Sequence, residues 1–202
     1  MKLYYSPGAC SLASHIALHE SGLPFAIDKF NRDTRTTSTG VDFLKINPKS
    51  YVPAIELDDG TILTEGAVIL QYIADQNPSA GLAPKAGTLA RYHLQEWLTF
   101  IGTEVHKSYS PLFNPNAAEE VKSYARNALA PRLAYVEAQL ANNDYLMGSG
   151  FSVADAYLFV VLNWSKRVGV ELGAYPNIQN YMARVAMRPA VQAAMKAEGL
   201  LS

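Results

Sequence analysis

The runs of β-forming residues stop after about residue 75, and that change of texture constrains the fold more than anything else in the chain. Before it, short β-like runs alternate with helical stretches. After it, no convincing strand follows. Lys2-Leu3-Tyr4-Tyr5 reads as a strand, Ser6-Pro7-Gly8-Ala9 as a turn, and Ser11 opens a helix. Gly22 is placed to stop that helix, with Pro24 behind it. Residues 25–30 have the β-formers of a second strand, and a crossover helix makes the two strands parallel. Residues 31–40 are polar and rich in Thr, which predicts a loop. Residues 42–46 suit a short helix ended by Asn47-Pro48. Residues 52–57 and 61–64 flank Asp58-Asp59-Gly60, a strong hairpin signal, and a helix from Glu65 to about Gln76 follows.

Residues 78–86, punctuated by Pro78, Gly81 and Pro84, read as a linker. Residues 87–108, 117–140, 152–168, 178–187 and 189–198 carry helical spacing or helix-rich composition. The expected organisation is an α/β domain over 1–77, the linker, and an all-α domain over 87–202. The order βαβ–α–ββ–α of the first part matches a thioredoxin-like domain. Ser152-Val153-Ala154-Asp155 fits a capping box with Asp in the place of Glu, and Phe151 before it is placed to staple the helix entry. That motif reads as structural, not catalytic.

A chain of 202 residues with 49% hydrophobic and 17% charged content can bury a sizeable core. A formal net charge of -1 gives no case for nucleic acid or an anionic membrane as main partner. The first residues lack the apolar run of a signal peptide, and no stretch is long enough to span a bilayer. A cytoplasmic protein is the expectation. Cys10 is the only cysteine, so the chain makes no internal disulfide and no CxxC pair. At a helix start it faces unpaired N–H groups and the positive end of the dipole, which favour the reactive thiolate. A small buried hydrophobe fits the same position equally well. His15 and His19 are four apart, but no carboxylate at supporting spacing completes a metal site, so they read as incidental.

Several segments, taken in order, resemble the glutathione S-transferases, the bacterial beta class most closely. They are Lys2 to Ser11, Tyr51-Val52-Pro53, Thr64-Glu65-Gly66-Ala67-Val68-Ile69, His106-Lys107 and Ser152-Val153-Ala154-Asp155. The resemblance implies a thioredoxin-like domain plus an all-α domain, in a homodimeric cytoplasmic enzyme. Such an enzyme conjugates the glutathione thiolate to small apolar electrophiles in the cleft between the domains. Glutathione is then a co-substrate, with no tightly bound cofactor and no metal. Two alternatives stand beside it: a glutathione-dependent peroxidase or disulfide reductase working through Cys10, and a non-catalytic binding module on the same fold.

By the same resemblance, Cys10 and His106 are the catalytic residues. Val52 presents its backbone to the peptide-like middle of glutathione across a cis Val52-Pro53 bond, much as a strand adds to a sheet edge. Glu65 binds the γ-glutamyl ammonium, and the helix N-terminus at Gly66 binds its carboxylate. Many relatives carry Ser at the position of Gly66, so a hydroxyl donor is missing here. Arg35, where relatives often have Lys, pairs with a glutathione carboxylate. Thr99, Thr103, Glu104, Val105, His106 and Lys107 match further glutathione-binding positions, with Glu104 reaching across a dimer. Spacings of four and three put Thr99, Thr103 and His106 on one helical face. Tyr109, Phe113 and Trp164 are expected to wall the electrophile pocket. Tyr5 and Ser11 are rival activators of the substrate thiol.

Overall fold

The computed structural model describes residues 1–201. The chain forms two compact units. The first holds Met1–Ala83 and the segment from Met187 onward, and the second holds Pro84–Ala186.

The first unit is built on a five-stranded sheet of order β3-β2-β1-β4-β5. Its strands are β1 (Lys2–Tyr5), β2 (Ala26–Asn31), β3 (Thr36–Thr37), β4 (Ala54–Glu56) and β5 (Ile62–Thr64). β1 and β2 run parallel, with Leu3 opposite Ile27, because helix α1 (Ser11–Ser21) carries the chain back between them. β4 lies antiparallel to both β1 and β5, with Ile55 opposite Leu3 and Leu63. Gly22 takes a positive φ of 67° past α1 and donates its N–H to the His19 carbonyl, the helix stop expected from sequence. The Thr-rich segment after β2 is not all loop. Asp28, buried in β2, accepts from the Ser38 N–H and hydroxyl and from the Thr39 hydroxyl, which folds β3 back against β2. The short helix expected at 42–46 is a single 3₁₀ turn, Phe43–Lys45.

α1 is buried along nearly its whole length, so it lacks a polar face. It packs against α2 (Gly66–Gln76) and also against α9 (Pro189–Ala197). By its contacts α9 groups with the first unit and apart from the helices before it. Arg188 fixes it there with a two-pronged ion pair to Glu20, at 2.5 and 2.9 Å.

The second unit is helical: α3 (Leu89–Phe100), α4 (Lys107–Tyr109), α5 (Glu119–Leu140), α6 (Val153–Asn163), α7 (Ser165–Val168) and α8 (Pro176–Ala186). The single helix expected over 87–108 is interrupted, because Ile101–His106 winds as a π-helix between α3 and α4. The helix expected over 152–168 breaks at Trp164 into α6 and α7. α6 is buried from Val153 to Leu162, and the Ser152–Asp155 box forms at its start, with the Ser152 N–H and hydroxyl both donating to Asp155 Oδ2. No helix among the described residues is long and apolar enough to cross a membrane.

Candidate active site

In the first unit the chemistry gathers around the start of α1. The turn before it needs Gly8, whose φ of +68° disfavours any side chain. The Gly8 N–H is held by the Glu198 carboxylate at 2.9 Å. Cys10 caps α1, but with helical backbone angles of -57° and -21°. These are not the extended angles from which a side chain usually caps a helix. Cys10 Sγ donates to the Val52 carbonyl at 3.3 Å. That bond uses the thiol proton. Ser11 is excluded as a rival activator: it is fully buried and its hydroxyl exchanges bonds with the Ser6 backbone. Tyr5 is buried too, and burial with the nearby Glu198 and Asp28 pushes its phenol above the ordinary range.

The Val52-Pro53 peptide bond is cis. β4 begins at the next residue and lies between β1 and β5, so Pro53 leads into an interior strand, not an edge. Gly66, first residue of α2, lies against Pro53: a Cβ built there would meet Pro53 Cγ at 3.7 Å, ordinary contact. Glu65 precedes it at φ +72°, a conformation that favours glycine. Its carboxylate accepts from Tyr51 Oη at 2.8 Å and from Lys49 Nζ, both on Oε1. The pair raises the pKa of both donors, and Lys49 also reaches Thr64 Oγ1 at 3.1 Å.

The other two non-glycine residues with positive φ are Ser50 (59°) and Arg35 (56°), and Arg35 Nη1 donates to Ser50 Oγ at 3.1 Å. All three such residues among those described thus belong to one neighbourhood, and backbone strain of this kind clusters at ligand sites. The buried Asn47 ties the loop down, donating to the Tyr51 carbonyl and accepting from the Lys49 N–H.

The second unit has its own cluster. The π-helix carries His106. Bonding to the fifth residue changes the winding between Thr103 and His106, while Thr99, in α3, precedes it. Thr99 and Thr103 are exposed, and Thr103 Oγ1 donates to the Thr99 carbonyl. His106 turns inward, with Nδ1 2.7 Å from Tyr157 Oη and its ring 4.8 Å from Trp164. Tyr157 also lies against Gly102, its Oη 3.6 Å from where a Cβ would stand, an ordinary contact.

Burial, helped by Lys107, lowers the His106 pKa from 6.5 to about 4. The ring is therefore neutral near pH 7, not a cationic donor. In the tautomer in which the Tyr157 hydroxyl donates to Nδ1, the ring proton sits on Nε2, which is then a neutral donor. The pKa is depressed, so the unfolded chain binds the proton first. Stability is unaffected above about pH 6.5 and falls by up to about 3 kcal/mol as pH drops towards 4. An NMR titration of the His106 ring should show a midpoint below pH 5; a midpoint above 6 would contradict this.

Glu104 does not extend from the surface unpaired: Arg132 Nε and Nη2 hold its Oε2 at 3.1 and 2.8 Å within the same chain. Val105 is buried in the core, and Lys107 is exposed. Of the three expected pocket walls, Phe113 (39% exposed) and Trp164 pack edge to face at 5.4 Å, and Arg167 lies over Phe113. Tyr109 is corrected to a core residue. It is fully buried, its hydroxyl meets Ser165 at 2.6 Å, and burial pushes its pKa up to about 12.

Residues 8–76 match the family model of the glutathione S-transferase N-terminal domain, and residues 100–189 that of the C-terminal domain. The glutathione S-transferase GstA of Escherichia coli O157:H7 is 46% identical over 99% of this chain and 100% of its own length. The chain belongs to the glutathione S-transferase family. A bacterial beta-class glutathione S-transferase from Sphingomonas chungbukensis is 51% identical, with a TM-score of 0.96 over the whole of both chains. A sphingomonad glutathione S-transferase solved with glutathione is 50% identical, also with a TM-score of 0.96 over the whole of both chains. The chain is thus a transferase of the beta-class kind.

For this transferase, reading the sequence missed Lys49, Ser50, Tyr157, Arg132 and Glu198. Asn47-Pro48 marked the Lys49–Tyr51 turn, and Gly102 inside a helical run marked the irregular winding. Nothing local marked Glu198. His15, read as incidental, is its buried partner, with Nδ1 3.0 Å from Glu198 Oε1 and its ring stacked on His19 at 5.1 Å. No group of three or more metal-holding side chains occurs among the described residues.

Proposed function

We propose that this protein binds glutathione along its first unit and transfers the glutathione thiolate to small apolar electrophiles. The observation that carries the reading is the convergence at the start of β4. There the Cys10 thiol meets the Val52 carbonyl, Gly66 lies against Pro53, and the Glu65 carboxylate stands at the start of α2. These groups suit a ligand with a thiol, a peptide-like middle and an amino-acid end. The complex of the sphingomonad relative with glutathione supports it.

In this reading Val52 pairs with the peptide units, Glu65 receives the γ-glutamyl ammonium, and the α2 N-terminus receives the adjacent carboxylate. Arg35 takes the other carboxylate. Phe113 and Trp164 offer aromatic surface to the electrophile, and the neutral His106 acts as a donor. Thr99, Thr103, Glu104 and Lys107 keep their assignment to glutathione binding, in a homodimer working in the cytoplasm.

A second activity is favoured by one observation: Cys10 is a lone thiol bonded to the residue that pairs with glutathione. Its thiolate attacks the disulfide of oxidised glutathione, forming a mixed disulfide and releasing one glutathione thiolate. Comparing Cys10→Ala and Cys10→Ser in both assays tests the division of labour. Disulfide exchange should be abolished in each variant while conjugation of a chlorinated aromatic persists. If neither activity changes, Cys10 has no role in either. If the wild-type protein neither binds immobilised glutathione nor turns over any electrophile or mixed disulfide, the enzymatic reading fails.

A further inference from the structure

The Glu65 carboxylate already holds an ammonium group. Lys49 Nζ bonds its Oε1, the same oxygen that accepts from Tyr51 Oη. The backbone enforces this meeting: Ser50 at φ +59° turns the chain between Lys49 and Tyr51, and Glu65 at φ +72° turns the carboxylate towards them. Asn47 pins both ends of the turn through the Lys49 N–H and the Tyr51 carbonyl. Three unusual local features therefore serve one contact.

We infer that Lys49 is an internal counter-ion that competes with the substrate's own ammonium for Glu65, and so sets how strongly the site selects ligands bearing an α-amino group. This rests on the proposal that glutathione binds at Glu65. The geometry suits displacement. The Lys49 and Glu65 side chains are 46% and 50% exposed, so the pair is open to water and exchangeable. An ion pair of this exposure is weak and screened by salt. The bond to Glu65 keeps Lys49 protonated well into the alkaline range, so the competitor is a cation whenever the substrate amine is. Tyr51 donates to Glu65 without charge, so it can keep orienting the carboxylate after Lys49 leaves. Lys49 is a specificity residue in this scheme and takes no part in the chemistry.

The test is calorimetric titration of the wild type and Lys49→Met with reduced glutathione and with glutathione lacking its α-amino group. Lys49→Met should tighten glutathione binding by about two- to five-fold and leave the deaminated ligand unchanged. Lys49→Arg, which keeps a cation there, should stay near the wild type. A merely structural role would move both ligands together. If Lys49→Met weakens both, Lys49 binds a substrate carboxylate and the inference is wrong. If it changes neither, Lys49 does not compete and the inference is again wrong. Failure of glutathione to bind the wild type is a separate result: it removes the proposed ligand itself, and the competition with it.

Discussion

Replacing Asp155 by alanine is expected to destabilise the protein by about 3–4 kcal/mol, the largest effect among the substitutions proposed. The carboxylate is completely buried and serves three separate parts of the second unit. Oδ2 accepts from the Ser152 N–H at 2.9 Å and its hydroxyl at 2.7 Å, which starts α6. Oδ1 accepts from the Leu146 N–H at 2.9 Å, which anchors the loop before that helix, and from the buried Tyr181 hydroxyl at 3.2 Å, which ties in α8. Alanine withdraws one acceptor from four donors. Each buried donor left without a partner costs about 1–3 kcal/mol, and relaxation around the small residue keeps the total below the sum. Asn keeps one acceptor oxygen but points two N–H groups at existing donors, so an intermediate loss of about 2 kcal/mol is expected. Urea unfolding measures both. A loss below 1 kcal/mol for Asp155→Ala would mean that α6 is fixed by its apolar packing alone.

Glu198→Ala ranks second, at about 3 kcal/mol. Its side chain is fully buried, as is that of His15, and together they tie the end of the chain to the turn before Cys10. One carboxylate oxygen holds the His15 ring and the other holds the Gly8 N–H. Leu200 covers the same glycine: its Cδ2 lies 3.5 Å from where a Cβ would stand. Removing the carboxylate takes an acceptor from both groups and loosens the turn that delivers Cys10, two residues on. Glu198→Gln keeps the shape and an acceptor oxygen for the Gly8 N–H, so about 1 kcal/mol is expected. The thermal midpoint should order wild type, Gln, Ala. The rate of Cys10 modification by a thiol reagent should rise in the Ala variant. Equal midpoints for Gln and Ala would show that only the charge matters, not the pair of hydrogen bonds.

How legible each feature was depends on how local its cause is. The βαβ unit, the Asp58-Asp59-Gly60 hairpin and the Gly22 stop follow from turn chemistry and residue period, which act within a few residues. The Ser152–Asp155 box was readable for the same reason, but the bonds of Asp155 to Leu146 and Tyr181 were not, since those residues come together only on packing. Cys10, Val52 and Glu65 were found as residues. Their actual contacts were not, because the sulfur follows the backbone angles of its own residue and Glu65 follows a loop fixed by Asn47.

By itself, the sequence determined an α/β first part, a helical second part and a lone thiol at the start of α1, because periodicity, turn residues and cysteine count are properties of neighbours in the chain. The tertiary structure decided the rest. It returned α9 to the first unit, since the nearly all-round burial of α1 demands a cover beyond the sheet and α2. It set His106, on a π-helix, against Tyr157 and made it neutral through desolvation. It set Lys49 against Glu65 through a turn whose strain is compensated by bonds from elsewhere in the unit. Each of these outcomes is an energy of groups distant in sequence and close in space, which is why local pattern could not specify them.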